Sequence, residues 1–73
     1  MAGKDLVGKL EKEAKVESRQ AVEQLIDIIK NTNENVEIRR LAWRVLEGVY
    51  YSTSDSFSAW ADQRVMQEGA RRP

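Results

Sequence analysis

Hydrophobic residues along this chain recur three and four positions apart and never alternate for long, which is the period of a helix rather than a strand. The pattern predicts an all-α, three-helix protein. Two polar stretches interrupt it, "KNTNEN" at 30–35 and "YSTSDSF" at 51–57, where Asn, Ser, Thr and Asp compete for backbone hydrogen bonds and favour turns and caps. The helices are therefore expected over residues 5–30, 35–51 and 56–68, with a frayed tail at 69–73, in one small domain, 1–73.

At 100° per residue Leu6, Val7, Leu10 and Ala14 share a face, and an unbroken helix brings Ala21, Leu25 and Ile28 onto the same face. Ser18 is able to cap a new helix, but "VES" at 16–18 holds neither Gly nor Pro to enforce a turn. The phasing predicts a single long helix of about 40 Å. The second helix, capped by Asn33 or Asn35, carries the stripe Ile38, Leu41, Ala42, Val45, Leu46 and Val49 and is expected to pack antiparallel on the first. The shorter third helix starts with Ser54, Asp55 or Ser56 as cap and stops at Gly69, a residue suited to the left-handed conformation that closes helices.

The second helix has more apolar surface than one neighbour requires. Val36, Trp43 and Tyr50 recur every seven residues beside the main stripe. Either that flank meets Phe57, Trp60, Ala61 and Val65 of the third helix, or it forms a partly exposed patch. Length adds a second surplus, because a helix of about 26 Å cannot cover one of about 40 Å. The third helix folding back, an identical chain, or a loosely ordered arm weakened by Gly3 and Gly8 would each account for the remainder. The expectation adopted is that Leu6, Val7, Leu10 and Ala14 form a self-association face for a homodimer. Exposed Trp, Tyr and Arg dominate binding hot spots, so Trp43, Tyr50, Tyr51, Phe57 and Trp60, with Arg40 and Arg44 at the rim, are the candidate partner-binding residues.

The stretch "AVEQLIDIIKNTNENVEIRRLAWRVLEGV", residues 21–49, resembles one HEAT or armadillo-type helical hairpin: an apolar helix, an Asn-rich turn, then Val36, Arg39, Ala42 and Leu46 at the spacing of such a repeat's second helix. The resemblance covers this hairpin alone, and no second copy follows it. It implies a protein-binding scaffold without catalysis.

Composition narrows the function further. A chain of 73 residues buries only about 60% of its unfolded surface, and with no Cys or His it has neither disulfides nor a zinc cluster to reinforce a small core. The same absence removes the commonest general base, the thiolate nucleophile and most transition-metal ligands, so no enzyme, cofactor or metal site is expected. The carboxylate pairs Glu13 with Glu17 and Glu23 with Asp27 lie beside Lys and Arg and read as a solvated face.

Charge is balanced, with 12 Lys and Arg against 12 Asp and Glu, and the balance persists from segment to segment. No basic tract suits phosphate recognition beyond Arg71 and Arg72, and Arg40 and Arg44 can form a salt-bridge row with Glu37 and Glu47. A helix-turn-helix reading of 18–30 and 35–50 meets Trp, Tyr and Leu where base contacts need polar groups. No apolar run approaches a membrane span or a signal peptide, and a cytoplasmic setting fits. The expectation is a non-enzymatic adaptor, inhibitor or assembly factor that docks on a protein partner. A nucleic-acid-binding regulator using Arg39, Arg40, Arg44, Arg71 and Arg72 is the alternative.

Overall fold

The computed structural model describes residues 3–73; residues 1–2 of the expected domain lie outside that range. Among the described residues there are four helices and no strand: α1 (Lys4–Lys15), α2 (Arg19–Lys30), α3 (Val36–Ser52) and α4 (Asp55–Glu68). The all-α expectation holds, and the number of helices is corrected from three to four.

The additional break falls at Val16–Ser18, inside the stretch expected to be one helix. Glu17 takes the left-handed backbone conformation, φ 65°, and two reversed hydrogen bonds close α1 around it. The Glu17 N-H donates to the Ala14 carbonyl at 3.0 Å and the Ser18 N-H to the Glu13 carbonyl at 3.0 Å, the Schellman pattern that usually has glycine at its left-handed position. Ser18 then opens α2, its Oγ accepting from the Ala21 N-H at 3.3 Å.

Magnitudes explain why the chain turns. The left-handed conformation costs a non-glycine residue about 1–2 kcal/mol, whereas burying a single Val or Leu stabilises by about 1.5–3 kcal/mol. A straight helix would leave the α1 stripe uncovered. Folding back seals Val7 and Leu10 to 1% exposure and Ala14 to 0%, while Leu6 stays 39% exposed. The shared phase of the two halves was real, but a stripe folded back onto the same core satisfies it as well as a continuous rod does. Of the expected self-association face of Leu6, Val7, Leu10 and Ala14, the last three are covered by α2 and α3 of the same chain and Leu6 alone is exposed.

The α2–α3 pair is antiparallel and central. Asn31 Oδ1 accepts from the Asn33 N-H at 3.0 Å, and Asn35 caps α3 by accepting from the Glu37 N-H at 2.8 Å. Across the turn the Arg39 Nε-H donates to the Ile29 carbonyl at 2.9 Å, satisfying an otherwise orphaned acceptor at the end of α2. Helix α1 packs on α2 and α3 from one side and α4 packs on the same two from the other, without direct packing between α1 and α4. The two central helices therefore each face several neighbours. That is why α2 buries Ala21, Val22, Leu25, Ile26, Ile28 and Ile29, and why the apolar surface of α3 wraps beyond a single stripe.

Helix α4 has the thinnest apolar stripe, with Phe57, Ala61 and Val65 buried at successive i+4 positions. Ion pairs supplement it. Arg64 grips Glu23 of α2 with two bonds, Nε to Oε2 at 2.6 Å and Nη2 to Oε1 at 2.9 Å, and also donates to Glu68 at 3.1 Å. Lys30 reaches Glu68 at 2.8 Å, so α4 runs parallel to α2. Bonds from Lys30 and then Arg64 hold the Glu68 carboxyl below its ordinary range.

Gly69, φ 66°, closes α4 with the same Schellman pattern, its N-H on the Met66 carbonyl and the Ala70 N-H on the Val65 carbonyl. Ala70 is buried, so the tail expected to fray from residue 69 begins as part of the packed structure.

Candidate functional site

The residues proposed from sequence as partner contacts fall into separate places. Phe57 is buried, and its ring lies 5.4 Å from that of half-buried Trp60 at 40°. The Arg19 guanidinium covers the Trp60 ring at 4.9 Å, a cation–π contact between α2 and α4. Tyr50 is half-buried where α3 meets α4, and its carbonyl accepts from Ser58 Oγ at 2.8 Å. Burial first, then the charges of Asp62 and Glu47, push its phenol up to about 12. Phe57 belongs to the core, and Tyr50 and Trp60 to its fringe. Tyr51 is 91% exposed and stands apart from them.

Arg40, Trp43 and Arg44 do come together. Both arginines are exposed on consecutive turns of α3, with half-buried Trp43 beside them. On one side an open cleft is bounded by Arg40, Trp43, Arg44 and Glu47 of α3 and by Arg72 and Pro73, which the tail brings back across this face. On the other side a second cleft is bounded by Lys4 of α1 and by Glu37, Arg40, Leu41 and Arg44. Arg40 and Arg44 border both, forming a ridge between two shallow grooves.

Sequence reasoning missed Lys4, Arg72 and Pro73 as members of this site. Arg72 was grouped with Arg40 and Arg44 only in the nucleic-acid alternative, and nothing local signals that α1 and the tail converge on α3. The anticipated salt-bridge row is also absent. Among the described residues, Lys4, Arg40, Arg44 and Arg72 have no carboxylate within ion-pair distance. Exposed pairs on one helix gain only about 0.2–0.5 kcal/mol, too little to hold Glu37 and Glu47 against the arginines.

The carboxylate pairs weighed above are split between structural tasks. Glu17 accepts from the Ser54 N-H and Glu23 holds Arg64, and among the described residues no group of three His, Cys, Asp or Glu converges as a cation would require. No helix of the described residues is long and apolar enough to cross a membrane. Both clefts are open, which suits side chains of a macromolecular partner better than enclosure of a small molecule.

No family model, curated protein or solved structure matches this chain, so the reading of the ridge stands on its geometry.

Proposed function

We propose that this protein is a non-enzymatic protein–protein interaction module, an adaptor, inhibitor or assembly factor of the cytoplasm, that docks on a larger protein through the Arg40–Trp43–Arg44 ridge. The carrying observation is that Arg40, Arg44 and Arg72, none with a carboxylate partner among the described residues, share one cleft with a half-buried indole, Trp43. Trp and Arg are the side chains that most often dominate binding energy, and here they stand on a rigid helix rather than a loop. The resemblance of residues 21–49 to a HEAT or armadillo-type hairpin leans the same way. The homodimer reading has lost the uncovered α1 stripe that motivated it, and sedimentation of the full chain measures the oligomeric state directly.

A photo-crosslinking residue at Glu47, which lines the cleft, is the direct test, with the same residue at exposed Gln24 of α2 as control. In the native host the Glu47 position should give one discrete heavier adduct that disappears with Arg40→Ala and Arg44→Ala. Equal labelling from both positions, or no adduct from Glu47, overturns the proposal.

A nucleic-acid-binding regulator is the second reading, favoured by the convergence of Arg40, Arg44 and Arg72 with Lys4. Two observations weaken it. Arg39 already donates to the Ile29 carbonyl, and Glu37 and Glu47 interrupt the basic surface. Retention on DNA that falls steeply with salt would support this reading over docking on a protein.

A further inference from the structure

Five of the twelve cations are engaged within the fold. Arg64 holds Glu23 and Glu68, Lys30 holds Glu68, Lys15 pairs with Glu11, Arg19 covers Trp60, and Arg39 serves the Ile29 carbonyl. Among the described residues, Lys9, Lys12 and Arg71 have no carboxylate partner and line neither cleft, whereas the remaining four converge on the clefts. Arg40 and Arg44 border both clefts, with Arg72 beside Trp43 in one and Lys4 beside Leu41 in the other; none of the four has a paired carboxylate, although three different segments bring them there. Folding has concentrated positive charge at one place without using it.

Resting on the docking role proposed above, we infer that the occupant of the ridge is an acidic protein segment presenting two carboxylates about 6 Å apart beside an apolar side chain. The spacing follows from Arg40 and Arg44, four residues apart on α3, whose Cβ atoms lie about 5–6 Å from each other. Carboxylates four apart on a helix match that separation, as do carboxylates two apart on a strand at about 6.8 Å. Each guanidinium fork takes one carboxylate in a bidentate pair. Trp43 supplies an apolar wall beside them, in the cleft that Arg72 and Pro73 complete.

Charge complementarity sets the sign of the occupant, and the two guanidinium forks set the number of acids. Among the side chains of the clefts Lys4, Arg40, Arg44 and Arg72 outnumber Glu37 and Glu47, so the occupant is acidic. A nucleic-acid strand carries one charge per about 3.4 Å, so a backbone following α3 would run past the ridge into Glu37 and Glu47. A compact pair of carboxylates avoids both.

The test uses the full chain with Trp60→Phe, which leaves Trp43 as the only indole of the two in the sequence. The probes are a short peptide with two glutamates four apart flanking a leucine, the same peptide with both glutamates replaced by glutamine, and oligothymidylate of matched length. Trp43 emission and backbone amide NMR shifts are followed, with circular dichroism confirming the fold of each variant. The glutamate peptide should move the signals of residues 40, 43, 44, 47 and 72 and bind about tenfold or more tightly than its glutamine counterpart, a difference of about 1.4 kcal/mol. Arg40→Ala and Arg44→Ala should each weaken it by about the same factor, while exposed Lys9→Ala on α1 leaves it unchanged. Equal binding of the two peptides, no response at Trp43, or tighter binding of oligothymidylate overturns the inference. A Glu47 crosslink to a partner whose contact segment is not acidic would remove the acidic occupant and leave the docking role standing.

Discussion

Glu17 Oε2 accepts a hydrogen bond from the backbone N-H of Ser54 at 2.8 Å, tying the α1–α2 turn to the α3–α4 turn across 37 positions of sequence. Ser54 is also the cap of α4, its Oγ accepting from the Phe57 N-H at 3.3 Å. The carboxylate therefore sits at the positive end of the α4 dipole, and the bond from the Ser54 backbone is the main cause that holds its pKa below the ordinary value. One residue both closes α1 with its backbone and latches α4 with its side chain.

Acid should release this latch. A folded-state pKa below the unfolded one means that the unfolded chain binds the proton more readily, so the stabilisation is complete above the ordinary value of 4.5 and is lost as pH falls below it through the folded value. Glu68 shifts in the same direction and adds to the loss. Denaturant midpoints measured from neutral pH down to the acid limb should fall less steeply in Glu17→Gln than in the parent. Identical slopes would mean that the carboxylate does not feel Ser54.

The two roles of Glu17 are separable by substitution. Glu17→Gly keeps the left-handed backbone accessible and removes the carboxylate, whereas Glu17→Ala removes the carboxylate and retains the steric penalty. The glycine variant should be the more stable of the two by about 1 kcal/mol. Thermal unfolding resolves this, because that difference moves the midpoint of a domain this small by about 4–8 °C.

Leu10→Ala should destabilise by about 2–5 kcal/mol, as in other deletions from a packed interior, because Leu10 is 1% exposed between α1, α2 and α3. Chemical denaturation measures the loss. A change below about 0.5 kcal/mol, the size expected at an uninvolved surface site, would make α1 an arm rather than a wall of the core.

Arg64 and Glu23 should couple by about 1 kcal/mol in a double-mutant cycle, the upper end for a pair that is partly open to solvent. The kinetic signature is local. Arg64→Ala should accelerate amide hydrogen exchange in α4 more than in α2, since α4 has only Phe57, Ala61 and Val65 fully packed to hold it.

Gly48 lies inside α3, and a Cβ built there meets nothing within 4 Å. Gly48→Ala should therefore stabilise the fold by about 0.5–1 kcal/mol through helix propensity alone. Calorimetry reads it as a higher unfolding midpoint, and a lower one would reveal a conformational need for glycine at this position.

Periodicity and caps carried most of the local structure. The helical class, the polar breaks at 30–35 and 51–57 and the Gly69 stop are written in short stretches of chain, because each depends on backbone groups within one helical turn of the residue responsible; the structure chose Asn35 over Asn33, and Ser54 over Asp55 and Ser56, as the caps. The arginines of the ridge were legible for the same reason, being four apart on one strongly patterned helix.

Tertiary structure decided the rest. Glu17 carries no local signal of a left-handed residue, and its turn wins only because α3 offers Val7 and Leu10 a place to be buried, a gain larger than the strain. The docking of α4 depends on Glu23 and Lys30 meeting Arg64 and Glu68, and the ridge gains Lys4 and Arg72 only when the first turn of α1 and the tail arrive beside α3. Periodicity describes which face of a helix avoids water. Which chain segment covers that face is set by the competition among all of them for the same interior.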